Sequence, residues 1–174
     1  MLNLYVLDAK TGCKVPAYVS PSSEEDFAQT YDWQTDWTSR DAVAMPNKVA
    51  LRRSDDEELL GLMSYAVHQA ALMVEIVYIE SAGHSNANMV EKDYKKYIGI
   101  AKALFAYAAD VSIKAGCDGV LVFKAKTSEL VDYYIQEFGA RHAGAYDPFR
   151  LILWEDAAER LLAAYERLTI KSQA

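Results

Sequence analysis

Two apolar runs enclose an amphipathic segment, and this arrangement constrains the fold more than any other feature of the sequence. The runs, Ala71 to Ile79 and Gly119 to Phe123, have the composition of strands that are covered on both faces. Between Ile98 and Lys114 the apolar residues recur at steps of three and four, which predicts a helix that Gly116 stops. Strand, helix and strand in this order predict an α/β fold.

The segments on either side predict further elements. A polar stretch from Ser81 to Lys96 predicts an unusually long loop after the first run. No repeat or linker divides the 174 residues, so a single domain over residues 1–174 is expected. The other expected elements are a hairpin of Leu2–Leu7 and Cys13–Val19, a short helix after Ser23 that ends near Asp32, a helix and loop over Trp33–Pro46, strands at Lys48–Arg53, Leu59–His68 and Phe149–Trp154, and helices at Ser128–Phe138 and Asp156–Leu168.

The charge balance excludes some classes of partner. Lys and Arg number 18 against 25 Asp and Glu, and the net charge of −7 argues against nucleic acid as a partner. No long uncharged apolar window and no basic N-terminal segment ahead of an apolar stretch is present, so we expect no membrane span, no secretory signal and a cytoplasmic location. No metal site is expected, because the cysteines lack CxxC spacing and the histidines are scattered. These residues are Cys13, Cys117, His68, His84 and His142.

Lysines surround the start of the helix that follows the long loop. Lys95, Lys96 and Lys102 face the positive end of the helix dipole, which costs about 0.3–1 kcal/mol each unless an anion lies between them. Free N–H groups there, with Gly99 and Ala101 permitting close approach, suit a pyrophosphate. The alternative is that the lysines are solvated and the glycine only eases a turn. GxGxxG and P-loop motifs are absent, so neither kind of nucleotide site is expected.

The run Lys96-x-x-Gly99-x-Ala101 resembles the acyl-CoA loop of the GNAT superfamily of N-acetyltransferases, Arg/Gln-x-x-Gly-x-Gly/Ala, with lysine as a departure in the first position. The order of elements from Leu59 to Ala140 strengthens the resemblance, which is closest to a bacterial GNAT-like subfamily of unassigned substrate. It implies a single α/β domain with a mixed, mostly antiparallel sheet and a splayed central parallel pair flanked by helices. It also implies an N-acetyltransferase with acetyl-CoA or another acyl-CoA as cofactor and an amine, small or peptidic, as acceptor.

The resemblance places the cofactor in the gap of the splayed pair. It implies that backbone groups of Ile79 and Ser81 pair with pantetheine, and that the Ile79 N–H polarises the thioester carbonyl. Ser128 stands where many members have an asparagine, which departs from the family pattern. The expected cofactor-binding residues are Ile79, Ser81, Lys95, Lys96, Tyr97, Ile98, Gly99, Ile100, Ala101, Lys102 and Ser128.

Glu75 is the candidate general base. Attack requires the neutral amine, and an alkyl ammonium ion has a pKa of about 10, so a base must take a proton near the thioester. Strand alternation places the Glu75 side chain on the face of Val77, Ile79 and Ser81. The run from Glu75 to Tyr78 resembles one in histone-type members, where the glutamate is the base, and an apolar setting would raise its pKa. The alternative is a glutamate that faces solvent or pairs with a lysine.

A tyrosine is the candidate general acid. The resemblance implies that a tyrosine on the helix after the second run protonates the departing thiolate. Tyr134 fits the subfamily spacing to Gly139, whereas the commoner superfamily spacing selects Ile135, so the choice between Tyr133 and Tyr134 stays open. A tyrosine that only packs on the sheet is the alternative.

Trp33 and Trp37 are the candidate acceptor-binding residues. Acids surround them, and aromatic faces beside acids suit a cationic amine. An acidic chain with lysines clustered at the loop also favours an enzyme that joins CoA to a cationic amine. The alternative is that both tryptophans are half-buried anchors.

Three functional hypotheses follow. The first is direct acetyl transfer to a primary amine within a ternary complex. The second is a non-catalytic GNAT-like module that binds acyl-CoA or another protein. The third is an unrelated α/β protein that shares the pattern by coincidence. The resemblance leaves a homodimer open.

Overall fold

Nine strands form a mixed sheet in a computed structural model that describes residues 2–87, 89–91 and 94–166. Their spatial order is β6-β1-β2-β3-β4-β5-β7-β9-β8. Among the described residues β5 and β7 are the parallel neighbours and the other pairings are antiparallel, which confirms the predicted fold class. The elements are β1 (Tyr5–Asp8), β2 (Lys14–Pro21), α1 (Glu24–Ala28), α2 (Arg40–Val43), β3 (Lys48–Arg53), β4 (Leu59–His68), β5 (Met73–Ser81), β6 (Tyr97–Ile98), α3 (Ile100–Lys114), β7 (Leu121–Lys124), α4 (Ser128–Phe138), β8 (Arg141–His142), β9 (Arg150–Leu153) and α5 (Glu155–Ala163).

The predicted boundaries differ from the observed ones in a few places. α1 ends at Ala28 because the chain enters turns there, four residues before the predicted end. α5 ends at Ala163, and residues 167 and 168 of the predicted terminal helix lie outside the described residues. The two-residue strands β6 and β8 were not predicted, because two residues carry no periodicity.

The parallel pair is hydrogen-bonded only at its beginning. Val74 is in register with Leu121 and Glu75 with Val122. Beyond these positions β5 continues to Ser81 beside β4 alone, whereas β7 continues beside β9. The two strands therefore separate toward their carboxyl ends and leave a gap in the sheet.

Two apolar clusters cover the two faces of the sheet. The larger contains α3, α4 and α5, and Phe105 of α3 packs on Phe123 of β7 with ring centroids 4.8 Å apart. The smaller, around Trp37, covers the opposite face beside α1. Removal of the fully buried Phe105 ring would cost about 3–5 kcal/mol of stability.

Gly61 of β4 lets α3 begin close to the sheet. A Cβ at this position would lie 2.8 Å from Cγ2 of Ile100 and 3.0 Å from the carbonyl oxygen of Glu80. A larger residue would push the first turn of α3 away from the end of β5. The close approach places the N-terminus of α3 at the wide end of the gap.

A β-bulge interrupts the alternation of β5. Ser64 is opposite Tyr78, but Tyr65 is opposite Ile76, so Val77 is an extra residue on β5. Each side chain after the bulge therefore lies on the face opposite to the one that simple alternation predicts.

Candidate functional site

A cleft of about 740 Å³ lies in the gap between β5 and β7. One wall is β5 from Ile76 to Ser81, and the other comprises residues 123–126 and the first turns of α4. The start of α3 closes the wide end of the cleft.

The backbone of β5 presents hydrogen-bonding groups to this cleft. The Ala82 N–H donates to the Leu60 carbonyl at 2.8 Å, so the backbone groups of Ala82 and Glu80 point toward β4. The groups of Ile79 and Ser81 alternate with them and point toward the cleft. The structure thus places both predicted pantetheine-binding residues at the cleft.

The N-terminus of α3 forms the wide end of the cleft. Gly99 precedes the helix with φ of +93°, and nothing lies within 4 Å of the position a Cβ would occupy. The first intrahelical bond runs from the Ala103 N–H to the Gly99 carbonyl, so the N–H groups of Ile100, Ala101 and Lys102 have no intrahelical acceptor. The structure brings together at the cleft nine of the eleven predicted cofactor-binding residues, which are Ile79, Ser81, Lys95, Tyr97, Ile98, Gly99, Ile100, Ala101 and Lys102.

Lys96 does not face the cleft, contrary to the prediction. Its Nζ lies 2.7 Å from Oε1 of Glu58, whose other oxygen accepts from the Tyr97 hydroxyl at 2.6 Å. Burial alone would raise the pKa of Glu58, but the hydrogen bonds from Lys96 and Tyr97 hold the pKa of that carboxyl below its ordinary value. The same contact raises the pKa of Lys96. The charge of Lys96 is therefore compensated within the protein.

Glu75 also lies away from the cleft, contrary to the expected position, so its predicted role as the base has no support from the geometry. Its Oε1 lies 3.1 Å from Nε2 of His68, and its side chain is 36% exposed. It sits where β5 and β7 are still paired, before the gap opens. The bulge at Val77 places its side chain on the face opposite to that of Ile79.

Of the two candidate tyrosines, Tyr134 is the buried one. Both side chains border the cleft, but Tyr134 is 8% exposed and Tyr133 is 46% exposed. The Tyr134 ring packs against Phe105 and Phe123, with centroids 5.3 and 5.1 Å apart. Burial, with a smaller contribution from Tyr133, raises the pKa of Tyr134 to about 12. The Tyr134 hydroxyl is therefore protonated at neutral pH.

Trp37 is a core residue and not a wall of an acceptor pocket. It is fully buried, and its ring is 5.5 Å from the Tyr78 ring. Trp33 borders a second, smaller cavity of about 450 Å³ together with Asp32 and Glu57. The two tryptophans therefore do not form one aromatic wall.

Ser128 is the first residue of α4 and is exposed. Its Oγ donates to the carboxylate of Glu129 at 3.4 Å, and it does not border the cleft. Its predicted contact with the cofactor therefore lacks support from its position.

Glu80 is a site residue that the sequence did not reveal. It is 3% exposed and borders the cleft on the face of the sheet covered by the smaller cluster. Its Oε2 accepts from the Gln34 N–H at 2.8 Å, and its Oε1 accepts from the Thr35 N–H at 3.3 Å and the Trp37 indole at 3.1 Å. Among the described residues, these three donors occupy three of about four acceptor positions of the carboxylate. The sequence alone would have placed Glu80 on this face only if the bulge at Val77 had been predicted.

Lys126 and Tyr78 complete this side of the cleft. The Lys126 ammonium donates to the Tyr78 hydroxyl at 2.8 Å and lies 4.4 Å from the centre of its ring. The same hydroxyl is hydrogen-bonded to Oγ1 of Thr35. Thr35 thus joins Glu80 and Lys126 through a chain of hydrogen bonds.

No family model matches the sequence, and no curated protein does. Solved structures do match. An IAA acetyltransferase from Bacillus cereus is 15% identical, with 79% of this chain and 98% of the other covered and a TM-score of 0.54. A GNAT family acetyltransferase from Listeria monocytogenes is 11% identical, with 86% and 98% covered and a TM-score of 0.54. This chain has the GNAT fold.

A third structure with the GNAT fold is an aminoglycoside acetyltransferase in complex with coenzyme A and kanamycin. It is 14% identical, with 83% of this chain and 98% of the other covered and a TM-score of 0.53. The GNAT fold that the sequence resemblance implied is thereby confirmed. Within the part of this chain that the structure describes, no helix has the length and apolar character to cross a membrane, and no group of three or more potential metal ligands is found.

Proposed function

We propose that this protein is an acyl-CoA-dependent N-acyltransferase that acetylates a primary amine by direct transfer within a ternary complex. The observation that carries the proposal is the gap between β5 and β7, which ends at the N-terminus of α3. A strand edge and a helix start are brought together there, and each leaves backbone groups available to a ligand.

The residues of the cleft fit an acyl-CoA. Pantetheine carries amides, and the backbone groups of Ile79 and Ser81 offer them a strand edge. The pyrophosphate would meet the free N–H groups after Gly99, with Lys95 and Lys102 as cations. Bound there, the acyl-CoA would supply the acetyl group as a thioester.

Glu80 is the residue to which we assign the proton of the attacking amine. It is a carboxylate at the cleft with three donors among the described residues, and it follows Ile79 directly. The three N–H donors fix its orientation, so the amine has a defined acceptor for its proton.

Tyr134 is the residue to which we assign protonation of the departing thiolate. Its hydroxyl borders the cleft, and its pKa of about 12 keeps the proton on the oxygen at neutral pH. The N–H of Ile79 on the opposite wall stabilises the negative charge that develops on the thioester oxygen.

Structures with the same fold support an amine acceptor. One is a spermidine N-acetyltransferase chimera, with 11% identity and a TM-score of 0.51, and the aminoglycoside enzyme was solved with kanamycin. Spermidine and kanamycin are both amines, but they are chemically different, so together they support the class of acceptor and not a particular one.

A second candidate is a non-catalytic module that binds acyl-CoA. It is favoured by the compensation of Lys96 by Glu58 and by the position of Glu75 outside the cleft. Detection of free thiol after mixing acetyl-CoA with a panel of amines separates the two. Thiol release that depends on an amine supports the enzyme, whereas tight binding without release for any amine supports the module.

A further inference from the structure

We propose that the acceptor is a small amine that also carries a carboxylate, and that Lys126 binds this carboxylate. The inference rests on the proposed acyltransferase function and narrows its acceptor class. It replaces the cationic amine that the sequence favoured.

The position of Lys126 identifies the part of the cleft that it serves. Its ammonium lies over the Tyr78 ring, and Tyr78 packs with Trp37 on the face covered by the smaller cluster. α3 and α4 lie on the opposite face. Lys126 is therefore on the same face of the sheet as the Glu80 side chain, to which we assign the proton of the amine, and on the face opposite to α3 and α4.

No described carboxylate compensates the charge of Lys126 in an ion pair, whereas Lys124, two positions earlier, lies 3.1 Å from Asp147. The hydrogen bond to Tyr78 and the contact with its ring hold the ammonium in place. A lysine fixed at the border of a cleft in this way favours an anion as its ligand.

Glu80 provides the complementary charge for the amine. A chain of hydrogen bonds runs from the Glu80 carboxylate through Thr35 and Tyr78 to the Lys126 ammonium, so a negative and a positive group lie on the same face of the sheet at the cleft. An amino acid carries the matching pair of groups, with its amine toward Glu80 and its carboxylate toward Lys126. One lysine compensates one negative charge. A carboxylate carries one negative charge and a phosphate monoester carries nearly two, so Lys126 suits a carboxylate better.

Glu129 also borders the cleft, but it does not form an ion pair with Lys126 in the described structure. It lies in the first turn of α4, which packs on the α3 face through Val131 and Tyr134. Its carboxylate accepts from Ser128.

The test compares pairs of amines that differ only in the carboxylate, namely amino acids and their amides, with acetyl-CoA as donor and free thiol as readout. Wild-type protein should prefer the amino acid by at least about tenfold in kcat/KM, equivalent to one hydrogen-bonded charge. Lys126→Met should abolish the preference, Lys126→Arg should keep much of it, and Lys124→Met should change it little. Equal preference in wild type and Lys126→Met, or wild-type preference for the amides, would overturn the inference.

Binding of the amino acids to the complex with CoA provides a second readout. Calorimetry should detect binding to the wild-type complex and not to Lys126→Met, with unchanged affinity of both proteins for CoA. Thiol release with the amides or polyamines but not with amino acids would leave the proposed function standing and overturn this inference. The inference also fails if amino acids neither react nor bind. The proposed function itself fails if the protein does not bind acetyl-CoA.

Discussion

Glu75 and Ile79 lie on opposite faces of β5, because the bulge at Val77 inserts an extra residue between them. Four positions apart on a regular strand, the two side chains would share a face. The bulge instead puts Glu80 on the face of Glu75 and at the cleft, whereas Glu75 remains at the paired end of the strand. Glu80, and not Glu75, is therefore the carboxylate to which we assign the proton of the acceptor amine.

Glu80→Gln should lower kcat strongly, because it removes the proposed proton acceptor. General-base catalysis contributes at least about 100-fold, so a loss of that size is expected. Glu75→Gln is the matched control and should stay within about twofold of wild type, since its partner His68 is also exposed. Steady-state kinetics at saturating acetyl-CoA measure both, and a larger loss for Glu75→Gln than for Glu80→Gln would reverse the assignment.

Tyr134→Phe should lower kcat with little change in the KM for acetyl-CoA. The ring keeps its packing, while the proton donor for the thiolate is lost, and a decrease of about 100-fold is expected. Tyr133→Phe is the control and should keep most of the activity, because its side chain is half-exposed. The pKa of Tyr134, about 12, implies no contribution of this group to the pH profile near neutrality. Equal losses in the two variants would leave Tyr134 without a specific role.

Gly99→Ala should weaken acetyl-CoA binding beyond its effect on folding. An alanine at φ of +93° costs about 1–2 kcal/mol of stability, and its Cβ projects into the space at the helix start. Gly12→Ala is a matched control, since this residue also has positive φ and open space but lies in the turn between β1 and β2. Calorimetry should show a loss of affinity for acetyl-CoA of at least about tenfold in Gly99→Ala and little loss in Gly12→Ala. A parallel loss in both variants would indicate a general effect on folding.

The stability of the fold should fall as the pH drops from about 7 to 5, because of His84. Burial lowers the pKa of His84, and the attraction of Glu58 offsets this only in part. The unfolded chain therefore takes up the proton at a higher pH than the folded protein does, so the free energy of unfolding decreases on acidification. Urea unfolding across this range should show a flatter profile for His84→Gln than for wild type. His142→Gln, at the exposed strand β8, should retain the wild-type slope.

The sequence predicts the order of the elements and the start of α3 because both depend on local patterns. The recurrence of apolar residues marks α3, and Gly99 at positive φ precedes it. The face of Glu75 could not be predicted, because a bulge depends on the pairing of β4 with β5 and leaves no periodic signal.

The partners of charged residues were equally hidden. Glu58 and Lys96 are 38 positions apart, and the hydrogen bond between them exists only once the strands are assembled. The burial of Trp37 depends in the same way on Glu80, which lies 43 positions later and accepts from its indole. Long-range contacts of this kind determine which charged side chains are paired within the protein and which of them border the cleft.

The most direct test of the central claim is scanning calorimetry of the protein with acetyl-CoA. At 100 times the dissociation constant, bound acetyl-CoA stabilises the fold by about 2.7 kcal/mol. For a chain of this length that corresponds to a rise in Tm of about 5–11 °C. We expect this rise with acetyl-CoA and none with acetate and adenosine together. An unchanged Tm at millimolar acetyl-CoA would contradict the assignment of the cleft between β5 and β7 as an acyl-CoA site.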